Sequence, residues 1–318
     1  MKSAINDKGV FAVSILSAFK TVAVLLLCAV PGFLLIKTRL IKSDGISTIA
    51  KLLLYVCQPC LVVSTLTGVD FSAKTATDLL IVFALVLASE LIMTGLLILI
   101  LRKKYDDARY RIYTIASCMG NVSFMGVPVM EALLPGNPEA VAFTAAASLA
   151  LNVYGWTIAS AVISRDKKYI SVKKIFLNPA TIAILVAVPL FIFNVEFPDK
   201  LGDMISLIGK CATPLCMIIM GARLACAKAK DVFLRPGNYL TVAIKQIIYP
   251  LLMLGITFFL PLDGDMKCAI FIIACCPVAS MVLNFSELIG EGREDAAGVM
   301  LLGTLLSCLT LPMMILII

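Results

Sequence analysis

Ten stretches of mainly apolar residues, each about 20 residues or longer, occupy almost all of this 318-residue sequence. A helix of about 20 apolar residues is as long as the hydrocarbon core of a bilayer is thick. A soluble domain could not bury ten such helices, because 61% of the residues are apolar and only 15% are charged. The sequence therefore predicts an all-α polytopic membrane protein. The ten runs, numbered in chain order, cover residues 10–36, 45–67, 77–101, 109–133, 140–163, 176–195, 203–225, 238–260, 268–289 and 296–317.

The runs divide into two sets of five, separated by a basic loop at residues 164–175. Because five is odd, the second set must enter the membrane from the side opposite to the first, which makes the two sets an inverted-topology repeat. We predict a first repeat at residues 1–163, a cytoplasmic linker at 164–175 and a second repeat at 176–318.

Basic residues are distributed unequally between the two sides of the predicted membrane. The loops that follow odd-numbered runs carry 18 of the 27 Lys and Arg residues, whereas the opposite side carries five. Basic loops stay in the cytoplasm, so both chain termini are predicted to lie outside a plasma (inner) membrane. Contact with anionic lipid explains the net charge of +7, and no nucleic-acid partner is predicted.

Several classes of function are excluded by what the sequence lacks. It contains no histidine, which excludes a Ser-His-Asp triad and a HExxH zinc site, and it has no GxxxxGK[ST] loop for ATP. Most of the 11 cysteines lie inside apolar runs, where cysteine packs as a small hydrophobic residue. We expect no enzyme activity, no metal site and no organic cofactor.

Helix-breaking residues occur at corresponding places in the two halves. Runs 2 and 7 contain prolines, and runs 4 and 9 contain the segments 120–128, GNVSFMGVP, and 277–281, PVASM. Proline and glycine free backbone groups that lipid cannot satisfy, so such breaks are tolerated where they line a polar cavity. Paired broken helices are the best sequence indication of a transporter binding site. The residues predicted to break the helices are Pro59, Gly120, Gly126 and Pro214.

Polar side chains near these breaks are the candidates for contact with a ligand. Helix N-termini at the breaks would offer free N–H groups and a positive dipole end, which suit a carboxylate. The predicted substrate-binding residues are Gln58, Asn121, Val122, Ser123, Pro128, Asn152, Pro277, Ser280 and Asn284. For Gln58 and Asn152, a structural hydrogen bond between helices is an equal alternative.

Three ionisable residues lie within the runs. Glu90 is the only acidic residue near the middle of a run, and ionisable groups at that depth indicate function. Lys245 lies in run 8, the repeat partner of run 3, so a Glu90–Lys245 pair is sterically feasible. Coupling to H⁺ or Na⁺, a structural ion pair and a protonated carboxyl all remain open for Glu90. Lys210 either extends outward to the headgroups or attracts an anion.

In their order and spacing, several segments resemble the auxin efflux carrier family of permeases. They are residues 120–128, GNVSFMGVP; 177–180, LNPA; 212–215, ATPL, with 221–224, GARL; Lys245 with Pro250; and 303–312, GTLLSCLTLP. The resemblance implies the ten-helix fold shared with bile-acid sodium symporters. It also implies an often dimeric scaffold of runs 1, 2, 6 and 7, and a mobile bundle of runs 3–5 and 8–10 in which runs 4 and 9 cross.

The same resemblance implies organic anions as substrates, which are auxin in plants and malate or malonate in some bacteria. One position differs from the family pattern, since Met281 stands where relatives often have Asn, and Asn284 is the nearest amide that could replace it. The sequence thus predicts a secondary transporter for a small organic anion, a carboxylate, that works by elevator-type alternating access as a homodimer. The alternatives are a channel-like uncoupled facilitator and a transporter-derived sensor.

Overall fold

The computed structural model of the protein describes residues 16–166, 173 and 176–317. These residues fold into helices joined by short loops, and they form no β-strand beyond one isolated bridge. The helices are α1 (Leu16–Lys37), α2 (Gly45–Thr67), α3 (Ala73–Leu101), α4 (Ala108–Ala116), α5 (Val122–Leu133), α6 (Pro138–Ser164), α7 (Pro179–Ile192), α8 (Asp199–Cys226), α9 (Ala229–Phe233), α10 (Pro236–Phe258), α11 (Gly264–Cys275), α12 (Ser280–Ile289) and α13 (Arg293–Ile315).

Seven of the described helices, α1, α2, α3, α6, α8, α10 and α13, are long and apolar enough to cross a membrane. The predicted run 6 forms the shorter helix α7, and runs 4 and 9 each form two helices, α4 with α5 and α11 with α12. The predicted all-α multi-pass fold is confirmed at this level. The chain terminus before residue 16 and most of the predicted linker at 164–175 lie outside the described residues.

Several helices begin at residues that cap them. Asn137 and Asn178 each precede a proline, and their side-chain oxygens accept hydrogen bonds from Ala140 and Ala180, respectively. Asp263 accepts from the backbone N–H of Met266 in the same way. A short polar side chain followed by a proline satisfies the free N–H groups of the first turn, so the sequence itself sets these helix starts.

Three prolines follow five-residue π-helical segments. The segments Leu53–Cys57, Val122–Gly126 and Ile244–Ile248 precede Pro59, Pro128 and Pro250. A proline cannot donate the usual helical hydrogen bond and clashes with the carbonyl one turn earlier, and a local π turn lets the helix continue past it. Consequently α2 runs unbroken through Pro59, contrary to the predicted break there. Similarly, α8 passes Pro214 with only a single-residue turn at Cys211.

Glycines bring α1 and α8 into close backbone contact. A Cβ atom at Gly32 would lie 2.7 Å from the carbonyl carbon of Ile218, and one at Gly221 would lie 2.7 Å from that of Ala29. Small residues allow membrane helices to approach until their backbones touch. Helix α8 also packs on α2, which in turn packs on α7, so these four helices form one contiguous group.

Several of the other helices are tied together at one end by a network of charged side chains. Arg235 pairs with Asp231 at 2.7 Å and also with Asp295, while Arg111 pairs with Glu291. Asp295, Asp231 and Arg111 are buried, so each needs these partners to offset its desolvation. The network links α4, α9, α13 and the residues just before α10 and α13, and it fixes the ends of the helices that carry the breaks.

Candidate functional site

The two broken helices meet through their backbones. The backbone N–H of Asn121 donates to the carbonyl of Pro277 at 2.7 Å, and that of Ala279 donates to the carbonyl of Met119 at 3.0 Å. Gly120 and Val278 form the antiparallel bridge between these two hydrogen bonds. The breaks therefore satisfy each other, since backbone groups freed from one helix bond to those freed from the other.

Gly120 allows this close crossing. A Cβ atom at this position would lie 3.3 Å from Nζ of Lys245 and 3.5 Å from the Cβ of Cys276. Gly120 thus lies in the break, as the sequence predicts. Gly126, by contrast, is the last residue of the π segment in α5 and lies inside a helix.

A cavity of about 330 Å³ opens beside the crossing. It is bounded by residues of α2, α5, α6 and α12 together with the start of α7. Seven of the predicted substrate-binding residues line it, namely Gln58, Asn121, Val122, Ser123, Asn152, Ser280 and Asn284. Pro128 and Pro277 do not, because Pro128 lies further along α5 and Pro277 is held in the crossing by its carbonyl.

The polar side chains of the cavity differ in how far their hydrogen bonds are satisfied. Asn121 is only 5% exposed, and its Nδ2 makes no hydrogen bond of standard geometry, although the thiol of Cys216 lies beside it. Ser123 pairs with Ser148 at 2.7 Å between their hydroxyl oxygens. Asn152 donates to the carbonyl of Ser148 at 2.9 Å, which is a bond within α6. Asn121 is therefore the cavity amide whose buried Nδ2 lacks a hydrogen bond of standard geometry among the described residues.

Two helix N-termini border the cavity. Helix α5 begins at Val122 and α12 begins at Ser280, and both residues are part of the lining. The first N–H groups of a helix have no partner within it and carry a partial positive charge, which favours an anion. No acidic or basic side chain is among the described lining residues, so these dipoles dominate the electrostatics of the cavity wall.

The rest of the lining is apolar or aromatic and includes residues that the sequence did not single out. Trp156 and Phe285 pack edge to face with ring centroids 5.0 Å apart, and Tyr55 and Met281 also line the cavity. Tyr55 lies one helical turn before Gln58, a spacing that places both on one face of α2. Ser148 is likewise one turn before Asn152, so helical spacing from the predicted amides would have found both residues.

Glu90 and Lys245 lie behind the crossing. Lys245 is fully buried, donates to the carbonyl of Ala274 at 2.7 Å and lies 4.5 Å from the ring centroid of Tyr249. Glu90 is 1% exposed, and neither of its oxygens has a hydrogen-bond partner among the described residues. The two side chains do not form the ion pair within 4 Å that the sequence left open. Lys210 is exposed at the end of the first segment of α8, away from the cavity lining.

The position of Lys245 has a physical consequence for the broken helix α11. The last carbonyls of a helix lack partners and carry a partial negative charge, which a cation stabilises. The ammonium of Lys245 bonds to one of these carbonyls directly behind Gly120. A cationic side chain of the protein therefore occupies the carbonyl end of this break, while the cavity faces the N-terminal end of α12.

Comparison with known proteins identifies two similarities. A sequence model of the family described as "Membrane transport protein" matches residues 17–172 and residues 164–315. A protein of Rhizobium meliloti named "Putative malonate transporter" is 26% identical over 263 residues, which cover 78% of this chain and 77% of that protein. The family match extends over almost all of the described residues.

Proposed function

This chain belongs to the membrane transport protein family, as its resemblance to the auxin efflux carrier permeases predicts, and we propose that it is a secondary transporter for a small carboxylate. Membership makes it a multi-pass membrane transporter rather than an enzyme. The cavity at the crossing is the observation from which we infer a carboxylate substrate. Two helix N-termini and the amide of Asn121 meet there, and no acidic side chain is among the described lining residues. Malonate is the first substrate to test, because the similar Rhizobium meliloti protein is named for it.

We propose that ten spans arranged as two inverted repeats, at residues 1–163 and 176–318 with a linker at 164–175, form the transporter. In this arrangement α4 with α5 makes one span and α11 with α12 makes another, which brings the seven long helices and α7 to ten. The antiparallel pairing of the two breaks supports this proposal, because repeats of opposite orientation would present their breaks to each other in that way.

The grouping of the helices supports transport by an elevator movement. The tight contact of α1 with α8, and of α2 with α7 and α8, suits a rigid scaffold. The remaining helices, held together by the charged network around Arg235, suit a bundle that moves as one body. The cavity lies between the two groups, since α2 and α7 contribute to it from one side and α5 and α12 from the other. A scaffold of this kind would pair with a second copy to form a homodimer.

The proposal also covers the orientation of the protein in its membrane and the group that would couple transport to an ion. The excess of Lys and Arg in the loops after odd-numbered runs supports an orientation with those loops in the cytoplasm and both termini outside the plasma membrane. Glu90 is the candidate for ion coupling, because it is a carboxyl without partners behind the crossing, and Lys245 is the nearby cationic group. A structural role for a protonated Glu90 is the alternative.

Uptake of radiolabelled malonate into proteoliposomes tests the proposal. We expect wild-type uptake to saturate with substrate, and we expect Asn121→Ala to reduce it by about 10-fold or more, because a hydrogen bond to a charged group contributes about 1.5–3 kcal/mol. Ser307→Ala is the matched control, since Ser307 is also fully buried but donates only to Thr304 of its own helix at 2.6 Å.

Three outcomes would contradict parts of the proposal. If wild type takes up none of a panel of small carboxylates, the cargo class is wrong. If the uptake rate rises linearly with malonate concentration, and if malonate never accumulates beyond the concentration expected from its imposed gradient, the protein is a channel-like facilitator rather than a carrier. If Asn121→Ala transports as well as Ser307→Ala, then Asn121 is not part of the site.

A further inference from the structure

Helix α8 runs along the crossing and touches the cavity residues of both broken helices. Its Cys216 lies beside Asn121, and Nη2 of its Arg223 lies 3.4 Å from Oδ1 of Asn284. Seven residues separate Cys216 from Arg223, which is two helical turns, so the two side chains share one face of α8. Both of the amides that they contact line the cavity.

The guanidinium of Arg223 has only some of the hydrogen-bond and ion-pair partners that a partly buried cation requires. Its Nη1 is buried and makes no hydrogen bond, and no carboxylate among the described residues lies within 4 Å of its guanidinium. By contrast, Arg111 and Arg235 are each ion-paired. A partly buried guanidinium without an ion pair is costly, so a site of this kind favours the arrival of an anion.

The charged groups around Arg223 do not supply that counter-ion. Glu287 is the acidic residue that attracts Arg223, but it is paired with Arg293 at 3.4 Å. The Arg223 side chain is partly exposed, yet it does not extend only toward lipid headgroups. Here one nitrogen is buried and the other is directed at Asn284.

We propose that Arg223 binds one carboxylate of a dicarboxylate and thereby determines the preference for dicarboxylates over monocarboxylates. The other carboxylate binds at the N-terminus of α12, where Ser280 begins the helix, and beside Nδ2 of Asn121. This inference rests on the proposed function, since it assigns a second contact to the same cargo.

The spacing of the two anion-binding elements fits a short dicarboxylate. Ser280 and Asn284 are four residues apart on one face of α12, which corresponds to about 6 Å along the helix axis. Arg223 contacts Asn284 at the far end of that interval. Its planar fork of N–H donors matches a carboxylate.

Binding of malonate and of propionate, a monocarboxylate with the same number of carbons, tests the proposal by calorimetry on the full chain in nanodiscs. We expect Arg223→Gln to weaken malonate binding by about 10–100-fold, as for the loss of a hydrogen-bonded charge. Propionate binding should change by less than about 3-fold, because propionate lacks the second carboxylate. Lys230→Gln is the matched control, since it removes one exposed positive charge from the same side of the protein outside the cavity.

The conservative variant Arg223→Lys provides a second test of the role of Arg223. Arg223→Lys retains the charge but loses the fork, so its ratio of malonate to propionate affinity should fall between those of wild type and Arg223→Gln. It provides the answer if Arg223→Gln does not fold.

The possible failures are distinguishable from one another. If wild type binds no carboxylate at all, the proposed function fails. If wild type binds malonate and Arg223→Gln binds it equally well, the function stands and the role of Arg223 is overturned. Equal losses for malonate and propionate would also overturn it, because they would assign Arg223 to general attraction or to folding.

Discussion

Substitution of Gly221 by alanine should destabilise the protein, although alanine is the better residue for a helix. The new Cβ atom would lie 2.7 Å from the carbonyl carbon of Ala29 and 3.0 Å from its Cα, and the carbonyl oxygen would be closer still. Since carbon atoms pack best at about 3.5–4.0 Å, α1 and α8 would have to separate by about 1 Å. Backbone atoms cannot rotate away, so the whole length of the contact is affected.

The magnitude follows from two opposing contributions. Overpacking of a closely fitted contact costs about 1–3 kcal/mol, and replacement of a helical glycine by alanine contributes about 0.5–1 kcal/mol in the other direction. We therefore expect Gly221→Ala to be less stable than wild type by up to about 2.5 kcal/mol, and less stable than a glycine-to-alanine variant without overpacking by about 1–3 kcal/mol. Gly255→Ala in α10 is the matched control, because its Cβ would meet no atom within 4 Å, and it should be neutral or slightly stabilising.

Unfolding in mixed micelles of increasing sodium dodecyl sulfate content measures this difference in free energy. Malonate affinity should fall as well in Gly221→Ala, because a displaced α8 moves Arg223 relative to Asn284. Equal stability of Gly221→Ala and Gly255→Ala would refute the reasoning, since it would mean that the two helices are not held at backbone contact.

Two further substitutions test other parts of the structure. Glu90→Gln should leave malonate uptake insensitive to an imposed pH gradient, because the amide of glutamine does not bind and release a proton as a carboxyl group does. If uptake by Glu90→Gln responds to the pH gradient as wild type does, Glu90 is not the coupling group. Asp295→Asn should lower the free energy of unfolding by about 2–5 kcal/mol, because Asp295 is buried against Arg235. Glu294→Gln is the control, since it removes an exposed partner of the same arginine, and it should change the free energy of unfolding by less than about 1 kcal/mol. Equal effects of these two variants would show that the charged network does not depend on burial.

Much of the fold and of the cavity lining could be predicted from local patterns. The apolar runs match the observed helices. The predicted break at 120–128 overlaps the observed break at 117–121 only at Gly120 and Asn121, because the chain is helical from Val122 onward, and the predicted break at 277–281 overlaps the observed one at 276–279. The polar residues near the breaks gather at one cavity because a broken membrane helix must find polar surroundings. Met281 and Asn284 both line the cavity, so the amide one turn beyond the expected position does reach it.

The errors share a physical cause. Pro59 and Pro214 were predicted to break their helices, but a π turn and a single-residue turn absorb the missing hydrogen bonds. Whether a proline breaks or only distorts a helix depends on the helices that pack around it, and these are distant in sequence. The same dependence explains why the partial burial of Arg223 against Asn284 was not predicted from the sequence.

The amino-acid sequence alone indicates that the chain is a membrane protein. It also indicates where the helices lie and which of them are interrupted. Those properties depend on the hydrophobicity of consecutive residues and on backbone groups that each residue keeps or loses, so they are local. The tertiary structure shows which broken ends bond to each other and that Lys245 lies at the carbonyl end of α11. It also shows that, among the described residues, Glu90 has no cationic partner and Arg223 no carboxylate partner within 4 Å. These contacts depend on the rotation and crossing of helices, which glycine contacts such as Gly221 with Ala29 set across more than a hundred residues of chain.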